Sequence, residues 1–450
     1  MLQTFRKAFQ IEDIRKKILY TLAMLFVVRL GSQLPTPGVD PNYIKDFFAN
    51  QTGETFNFFN AFTGGSFEQM SVFALSITPY ITSSIIMQLL TIAIPKLEEM
   101  QKEGEDGRKK IATITRYVTV GLALIESTAM AVGFGRRGLL EEYNFVNAAI
   151  VVLTLTAGSA FLMWIGERIT EKGVGNGISI VHLINILSSV PSDLTTLYET
   201  FVKGKGLAKG GLAALIILAI ILALVVFTVV LQDAERRIPV QYSQKVQGRR
   251  SVGGQSTNIP LKVNTAGVIP VIFASSIMQF PIVIASFLGK GNGTGIGSEI
   301  LRGLNSGNWC NPSHLQYSWG LIVYIALTVF FAYFYTSITF NPLEIANNMK
   351  KSGGFIPGIR PGKPTVDYLT KILNYIIFIG ACGLVIVQVI PFFFNGVFGA
   401  QVSFGGTSLI IIIGVVLETV KQIESQMLVR NYTGFLNNKG NAMKNSFLGF

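Results

Sequence analysis

The chain has 450 residues, of which half are hydrophobic and only 14% are charged. Soluble proteins carry about 25% charged residues, so the composition excludes an ordinary soluble globular protein and indicates a membrane protein. The formal net charge is +12, and the positions of the basic residues along the chain decide what that charge means.

The N-terminus combines basic and apolar side chains. Residues 1–17 place Phe9, Ile11 and Ile14 among lysines and arginines, a pattern that suits a helix lying on the inner membrane surface. A basic segment followed by an apolar one also resembles a signal peptide, but no small-residue cleavage site follows Leu34. We therefore expect a cytoplasmic N-terminus that is retained and leads into a first span.

Ten apolar segments indicate ten membrane spans, since each is close to the roughly 20 residues that cross a bilayer core of about 30 Å. The 46 glycines of the chain fit this class, because glycine allows helices in a membrane to approach closely. The predicted spans are 18–34, 76–94, 111–133, 146–166, 174–190, 212–231, 265–288, 319–340, 369–393 and 407–423.

The basic residues predict the orientation of these spans. If both termini lie inside, 27 of the 37 lysines and arginines fall in inside segments and 8 in outside loops. This asymmetry places both termini in the cytoplasm. It also explains the net charge without a nucleic-acid-binding domain.

The first external loop, residues 35–75, is unusual. After the turn at 35–38, the segment 56–70 is half hydrophobic, too short to span, and broken by Gly64 and Gly65. One interpretation is a re-entrant segment sheltered by protein, since lipid cannot satisfy irregular backbone. The other is an amphipathic helix on the outer surface. The pattern by itself fits both equally.

Two spans repeat one another across almost two hundred residues. Residues 79–88 and 270–279 both begin with proline and combine apolar side chains with small hydroxyl residues and a glutamine. Helices that only face lipid do not need that polarity. The repeat indicates two equivalent walls of one polar or movable interface.

Two cytoplasmic loops carry arginines within turn-rich frames. In 232–264, alternation around Ile238, Val240 and Tyr242 predicts a short hairpin with arginines at its base and tip. In the loop 341–368, dense proline and glycine predict a defined non-helical segment that presents Arg360. Ordinary positive-inside charge against anionic lipid is the alternative, but the planar arginine fork suits docking to carboxylates or phosphates.

The sequence offers no pattern for an enzyme or a cofactor. It shows no phosphate-binding loop, no zinc spacing and no nucleophile–base pair, and the glycine-rich stretch 173–177 opens a membrane span instead of following a strand. Cys310 falls in an external loop and Cys382 in the ninth span, so we expect no disulfide. Energy for any work must come from a partner or a gradient.

Three charged residues fall in or near spans, where charges are costly and functional by default. Glu418 lies close to the cytoplasmic end of its span, and we expect Arg29 to snorkel outward. Glu126 is the deepest of the three, and a hydrogen-bonded residue between helices is its ordinary interpretation.

Three spans carry pairs of residues four apart, which share one helix face. The pairs are Ile77 with Ile81, Ile178 with His182, and Ile272 with Ser276. Core packing would explain such pairs, and a shared pore is the alternative that the spacing leaves open.

Nine short stretches spread over the chain follow one another in a specific order. They are LPTPGVD at 34–40, the second span at 73–91, GNGIS at 175–179, RRIPV at 236–240, QGRR at 247–250, NTAGVIP at 264–270, FNP at 340–342, PGIRPG at 357–362 and GGTS at 405–408. Each motif is weak alone, but their order over ten spans is specific. By these motifs the chain resembles, nearly from end to end, the SecY/Sec61 alpha family of protein-conducting channels.

The resemblance implies an all-α polytopic membrane protein of ten helices in two pseudo-symmetric five-helix halves around a central pore, with a re-entrant plug. The plug would lie at about 58–72 and include Phe62, Thr63, Gly64, Gly65 and Ser66. The implied organisation is a cytoplasmic N-terminus at 1–17, an N-terminal half at 18–190, an external linker at 191–211, a C-terminal half at 212–423 and a cytoplasmic tail at 424–450.

The resemblance also implies which residues act. A ring of branched aliphatic side chains excludes ions by dewetting and parts around a polypeptide, and small polar residues let two helices separate as a lateral gate. The gate positions are Thr82, Gln88 and Asn264. The pore-ring positions are Ile77, Ile81, Ile178, His182, Ile272, Ser276 and Ile411.

His182 departs from the family pattern, because relatives carry an aliphatic residue there. A neutral, hydrogen-bonded histidine is the ordinary interpretation. The functional hypothesis is that a titratable group at the waist makes the closed ring leakier to ions at low pH.

The implied function is translocation of unfolded secretory polypeptides across the bacterial plasma membrane and lateral release of membrane segments into lipid. The implied partners are SecE and SecG subunits, the SecA ATPase, the ribosome, signal sequences with their preproteins, membrane lipids, and accessory proteins of the SecDF or YidC type. SecA or the ribosome would dock on Arg236, Arg237, Arg249, Arg250 and Arg360.

Two other functions compete with this one. An ion-coupled secondary transporter also fits repeats and intramembrane carboxylates, but it needs convergent polar groups around Glu126. A membrane scaffold or insertase would hold partners through the basic loops, but it gives the plug-like segment no role.

Overall fold

The computed structural model describes most of the chain as long helices with small sheets. The chain divides into two compact units: unit 1 comprises Met1–Pro191 with Val415–Phe450, and unit 2 comprises Ser192–Gly414. The described residues are 6, 8–40, 63–140, 142–203, 207–242, 245–247, 250–252, 256–287, 295–398 and 406–447.

Helices account for most of the described residues, and the two basic loops supply the strands. The helices are α1 (Glu12–Gly31), α2 (Thr78–Ala93), α3 (Pro95–Lys102), α4 (Glu105–Phe134), α5 (Phe145–Lys172), α6 (Gly177–Phe201), α7 (Leu207–Asp233), α8 (Ile269–Phe287), α9 (Ile296–Leu304), α10 (Trp319–Thr339), α11 (Pro342–Lys351), α12 (Lys363–Phe398) and α13 (Gly406–Phe447). The strands are β1 (Glu235–Tyr242), β2 (Lys245–Gln247), β3 (Arg250–Val252), β4 (Ser256–Lys262) and β5 (Gly354–Phe355).

The predicted spans coincide with helices of this structure, which confirms a polytopic helical membrane protein. Among the described residues, seven helices are long and apolar enough to cross a membrane, and the bent pair α2–α3 raises the number to eight. The count of ten stays a prediction, because α1 and α8 do not meet the same length and composition.

A sharp bend separates α2 from α3. The two helices meet at 101°. Ile94 between them is extended, with φ −112° and ψ 111°, because the proline ring at Pro95 disfavours helical backbone in the preceding residue. The bend ends the apolar helix and begins one of largely charged composition.

Small and hydroxyl side chains let the helices of unit 1 pack closely. α4 packs against both α2 and α5. Ser83 Oγ donates to the Thr115 carbonyl at 2.8 Å, and the Ser127 and Thr156 hydroxyls lie 3.0 Å apart. These hydroxyl contacts join the helices in addition to the ion pair between Arg116 of α4 and Glu167 of α5.

The start of α1 packs on protein, which differs from the predicted helix on the inner membrane surface. The helix begins at Glu12 and continues without a break into the first span. Ile14 is 4% exposed and packs with Val174 and Ile423. The apolar face predicted to lie in lipid is therefore partly covered by the α5–α6 connection and by α13.

The helix α6 extends beyond the predicted end of the fifth span. It runs through Pro191 to Phe201, into the segment expected to be an external linker. A proline removes one helical hydrogen bond, and here the helix continues past it.

Unit 2 packs four long helices around aromatic and hydroxyl contacts. α8 packs on α10, and α12 packs on both α10 and α7. Phe273 and Phe331 stack with ring centroids 5.1 Å apart. The hydroxyl of Thr328 donates to its own helix at the Tyr324 carbonyl, 2.9 Å away, so this polar side chain is satisfied inside the membrane segment.

A small sheet joins the two basic loops. β1 pairs antiparallel with β4, with Ile238 opposite Ile259, which confirms the predicted hairpin. The sequence did not predict β5, which pairs with the other edge of β1 and gives the order β4-β1-β5. The expectation of a non-helical segment in 341–368 was also wrong for Pro342–Lys351, which form α11 because proline fits the first turn of a helix and the Asn341 side chain caps it. Ile238 and Val240 are buried and pack with Leu369 of α12. This alternation fixes the sheet to the helices below it.

Candidate functional site

The candidate plug segment is a buried run of turns in unit 1. Residues 64–70 and 72–77 form successive turns, and Thr63, Met70 and Ser71 are almost fully buried. A surface helix would expose one face, so the described part supports the re-entrant interpretation. Phe62 and the rest of 58–62 lie outside the described residues.

The base of the plug segment is fixed to the turn that follows α1. Thr36 N–H donates to the Met70 carbonyl at 2.9 Å, and Val72 N–H donates to the Leu34 carbonyl at 2.9 Å. These two bonds flank the isolated bridge between Pro35 and Ser71. The predicted turn at 35–38 therefore anchors the segment that leads into α2.

Gly64 is seated against α6. Its φ is +66°, in the left-handed region that favours glycine. A Cβ at this position would lie 2.7 Å from the Asn185 carbonyl oxygen and 2.7 Å from Ser188 Oγ. Only glycine fits the turn and the contact together.

Arg29 contacts the same turn, which corrects the expectation that it snorkels outward. Its Nη1 donates to the Gly64 carbonyl at 3.2 Å and to Ser188 Oγ at 3.1 Å. Nothing in the local sequence could have found this contact, because its partners lie 35 and 159 residues away along the chain.

The connection from the plug segment to α2 holds two strained residues. Met70 and Ser76 have φ of +43° and +53°, and a residue other than glycine in this region costs about 1–3 kcal/mol. Asn185 Nδ2 donates to Ser76 Oγ at 2.9 Å, and Ser159 Oγ donates to the Ser76 carbonyl at 3.3 Å. Hydrogen bonds from α5 and α6 thus support the strained turn.

Four predicted ring residues lie in unit 1, at the starts of α2 and α6. Ile77 is 1% exposed and immediately precedes α2, and Ile81 lies one turn further. Ile178 and His182 lie in the first two turns of α6, and His182 is 4% exposed. The hydrogen bond between Asn185 and Ser76 holds these two helix starts within one compact unit.

The remaining ring candidates lie in unit 2. Ile272 and Ser276 share one face of α8, where Ser276 is exposed. Ile411 is 2% exposed on α13. The ring of seven stays a prediction.

The lateral-gate candidates differ in their surroundings. On α2, Thr82 is half-buried and Gln88 is exposed, although this helix is apolar overall. Asn264 is buried, and its Nδ2 donates to the Gly267 carbonyl at 3.0 Å, which holds the turn before α8. Asn264 thus has a local structural role beside the predicted one.

The arginines predicted to dock partners are presented by the small sheet and its neighbouring loop. Arg236 and Arg237 are exposed on β1, and Arg237 pairs with Glu235. Arg360 is exposed, and its carbonyl accepts a 2.9 Å hydrogen bond from Thr365 Oγ1. Arg249 and the Arg250 side chain lie outside the described residues.

The charged groups of the described residues form no site for a metal. Among them, no cluster of three or more His, Cys, Asp or Glu side chains could hold an ion. Cys310 and Cys382 are free cysteines. Burial raises the pKa of the Cys310 thiol, so less of the reactive thiolate is present at a given pH.

Comparison with known proteins gives one family. The SecY family model matches residues 71–420. The protein translocase subunit SecY of Corynebacterium glutamicum is 44% identical over 454 residues, covering 96% of this chain and 99% of that protein. The same subunit of Streptomyces scabiei is 45% identical over 452 residues, covering 97% of this chain and 100% of that protein.

Solved structures show the same fold at low sequence identity. One is a SecY protein whose plug domain is described as stabilising the closed state and maintaining a membrane seal. It has a TM-score of 0.60 and 19% identity, with 92% of each chain covered. Another is Sec61 in the canine ribosome–channel complex, with a TM-score of 0.58, 17% identity and 92% of each chain covered.

Proposed function

The chain belongs to the SecY family, and we propose that it carries out polypeptide translocation through a pore that residues 63–72 close at rest. It is a channel subunit of a protein translocase and not an enzyme. The observation that carries this function is the match of nearly the whole chain, 96% of it, to a translocase subunit. The ion-coupled transporter is not supported.

The plug proposal is supported by the buried turns of 63–77 and their seat on α6. A SecY relative of the same fold has a plug domain described as maintaining a membrane seal. In this chain, the described part of the segment, from Thr63 onward, leads directly to Ile77, the first ring candidate. A plug held beside the ring would keep the resting pore closed to ions.

The pore proposal is tested by crosslinking a stalled preprotein. A photoreactive residue at Ile81 should crosslink to a translocating chain, because Ile81 lies one turn into α2 from the plug connection. The matched control is Leu153 of α5, a membrane-helix position that is 65% exposed and should contact only lipid. Equal crosslinking at both positions, or none at Ile81, would contradict the proposal.

We propose SecE and SecG as companion subunits, with the bacterial plasma membrane as the location and both termini in the cytoplasm. The family and the apolar helices support a multi-pass membrane protein that works within a translocase. The orientation is supported by the 27 basic residues assigned to inside segments. Co-purification of a small single-span subunit would support the companion; its absence from an active preparation would oppose it.

We also propose that SecA or a ribosome docks on Arg236, Arg237 and Arg360. These arginines belong to loops joined through β1 and β5, so one rigid sheet sets their spacing. Preordered arginine forks suit carboxylate or phosphate partners. The Sec61 relative is a ribosome–channel complex.

The docking proposal predicts that Arg360→Glu abolishes motor-driven export with folding intact. Export into inverted vesicles measures this. Lys209→Glu is the matched control, because it changes the net charge equally at an exposed position on α7, outside these loops. Normal export by Arg360→Glu would refute the proposal, and equal loss in both variants would show that only total charge matters.

A further inference from the structure

One carbonyl oxygen of the plug segment accepts a hydrogen bond from Arg29 and lies beside the Ser188 hydroxyl, whose single proton has a shorter contact, 2.7 Å, with the Asn185 carbonyl. Arg29 Nη1 and Ser188 Oγ both lie 3.2 Å from the Gly64 oxygen. Arg29 Nη1 also lies 3.1 Å from Ser188 Oγ. A triangle of polar contacts therefore joins α1, the plug segment and α6, all within unit 1.

The position of Arg29 makes these contacts significant. It lies in the last turn of an apolar helix, where a cation is costly unless polar groups surround it. In the part of the chain that the structure describes, the ion pairs do not include Arg29. Neutral oxygens of the plug turn and of α6 solvate the charge instead, so displacing the plug removes one of its acceptors.

The geometry also shows which part of the segment can move. The base is held by backbone hydrogen bonds of Met70 and Val72 to the turn after α1. Gly64, in contrast, is held through side chains of other elements and through its contact with Asn185. Side-chain bonds can break without disturbing secondary structure, whereas the bridge at Ser71 belongs to the fold.

We propose that Arg29 is a positioning residue that keeps the plug closed by holding the Gly64 carbonyl, and that Ser188 orients Arg29 by accepting a hydrogen bond from it. The plug opens when the hydrogen bond to the Gly64 carbonyl breaks, while the base of the segment stays attached at Ser71. The inference rests on the proposed plug and names the residues that hold it. It assigns a gating role to Arg29, a charged residue whose burial in a membrane helix is otherwise only unfavourable in free energy.

The first test measures the ion conductance of the resting translocase in planar bilayers, without preprotein. Arg29→Gln should raise it about tenfold or more, since a hydrogen bond from a charged donor is lost. Arg29→Lys should give an intermediate value, because a lysine lacks the planar fork. Arg116→Gln is the matched control: Arg116 pairs with Glu167 at 2.7 Å, away from the plug segment, and its loss should leave the conductance unchanged.

A second test distinguishes loss of the Arg29 hydrogen bond from general damage to the fold. Arg29→Gln should still export preproteins at the wild-type rate, because the hydrogen bond that it removes is made only with the plug in place. Ser188→Ala removes the second acceptor of Arg29 Nη1 but leaves its contact with the Gly64 carbonyl, so it should raise the resting conductance less than Arg29→Gln does.

The outcomes distinguish the two proposals. Unchanged conductance in Arg29→Gln, together with normal export, would overturn the proposed positioning role of Arg29 and leave the proposed channel function intact. A leak in Arg29→Gln that comes with loss of export would also overturn it, because the damage would then lie in the fold. Failure of the unmodified protein to export any preprotein would instead count against the proposed function.

Discussion

Replacing Gly64 by alanine should open the resting channel far more than the same change at Gly65. Both glycines have positive φ, +66° and +82°, so each alanine costs about 1–2 kcal/mol for left-handed backbone. Only Gly64 has close neighbours: its Cβ would meet the Asn185 carbonyl oxygen at 2.7 Å, whereas nothing lies within 4 Å at Gly65.

The difference between the two variants isolates this contact. An overpacked contact costs about 1–3 kcal/mol, because the Asn185 oxygen belongs to the backbone of α6 and cannot rotate away. If that cost falls on the closed plug alone, the open population in Gly64→Ala should exceed that in Gly65→Ala by about 5- to 150-fold.

Resting conductance of the reconstituted translocase in planar bilayers measures this ratio. Both variants should still export preproteins, because translocation occurs with the plug displaced. Equal conductance in Gly64→Ala and Gly65→Ala would refute the seat on α6 as the feature that holds the plug. Loss of export in Gly64→Ala alone would show damage to the fold instead.

Three other predictions follow from single residues. If His182 titrates at the narrowest part of the pore, the ion leak of the resting wild-type channel should rise as the pH falls from about 8 to 5. The leak of His182→Ile should not change with pH. A leak that is independent of pH in both proteins would contradict this hypothesis. Ile238→Ala removes most of a side chain that is 2% exposed and should destabilise the sheet β4-β1-β5 by about 2–5 kcal/mol. Motor-driven export should fall while resting conductance stays unchanged, and normal export would contradict the proposed role of the sheet in docking. With Cys382 replaced by serine, a membrane-impermeant maleimide added to intact cells should label Cys310 slowly at neutral pH and faster as the pH rises, because burial raises the pKa of this thiol; labelling only after the membrane is opened would contradict the proposed orientation.

Local patterns predicted the helices and the hairpin because their signals are local. An apolar window reports a helix that crosses lipid, and alternation around Ile238 reports a strand with one buried face. The exposed position of Arg360 followed in the same way from the glycines and prolines beside it. The family resemblance added the roles of these elements, which no local pattern contains.

Other features depend on contacts between distant segments. The strand Gly354–Phe355 has two residues, too few for a pattern, and exists because Gln241 pairs with Phe355. The start of α1 could have lain on lipid by its composition, but Ile14 packs with Val174 and Ile423. Both features are therefore decided by contacts that form only in the folded chain.

The repeated spans, the glycine pair and the basic loops were determined by the sequence, since each is a property of neighbouring residues. The tertiary structure alone decided the contacts of Arg29. The position of Arg29 near a helix end predicts that its side chain extends into water. In the folded chain it instead donates hydrogen bonds to the Gly64 carbonyl and to Ser188. A partly buried charge forms hydrogen bonds with the oxygens that packing places beside it. For Arg29 these oxygens belong to segments that are distant in the sequence, so no local pattern could predict them.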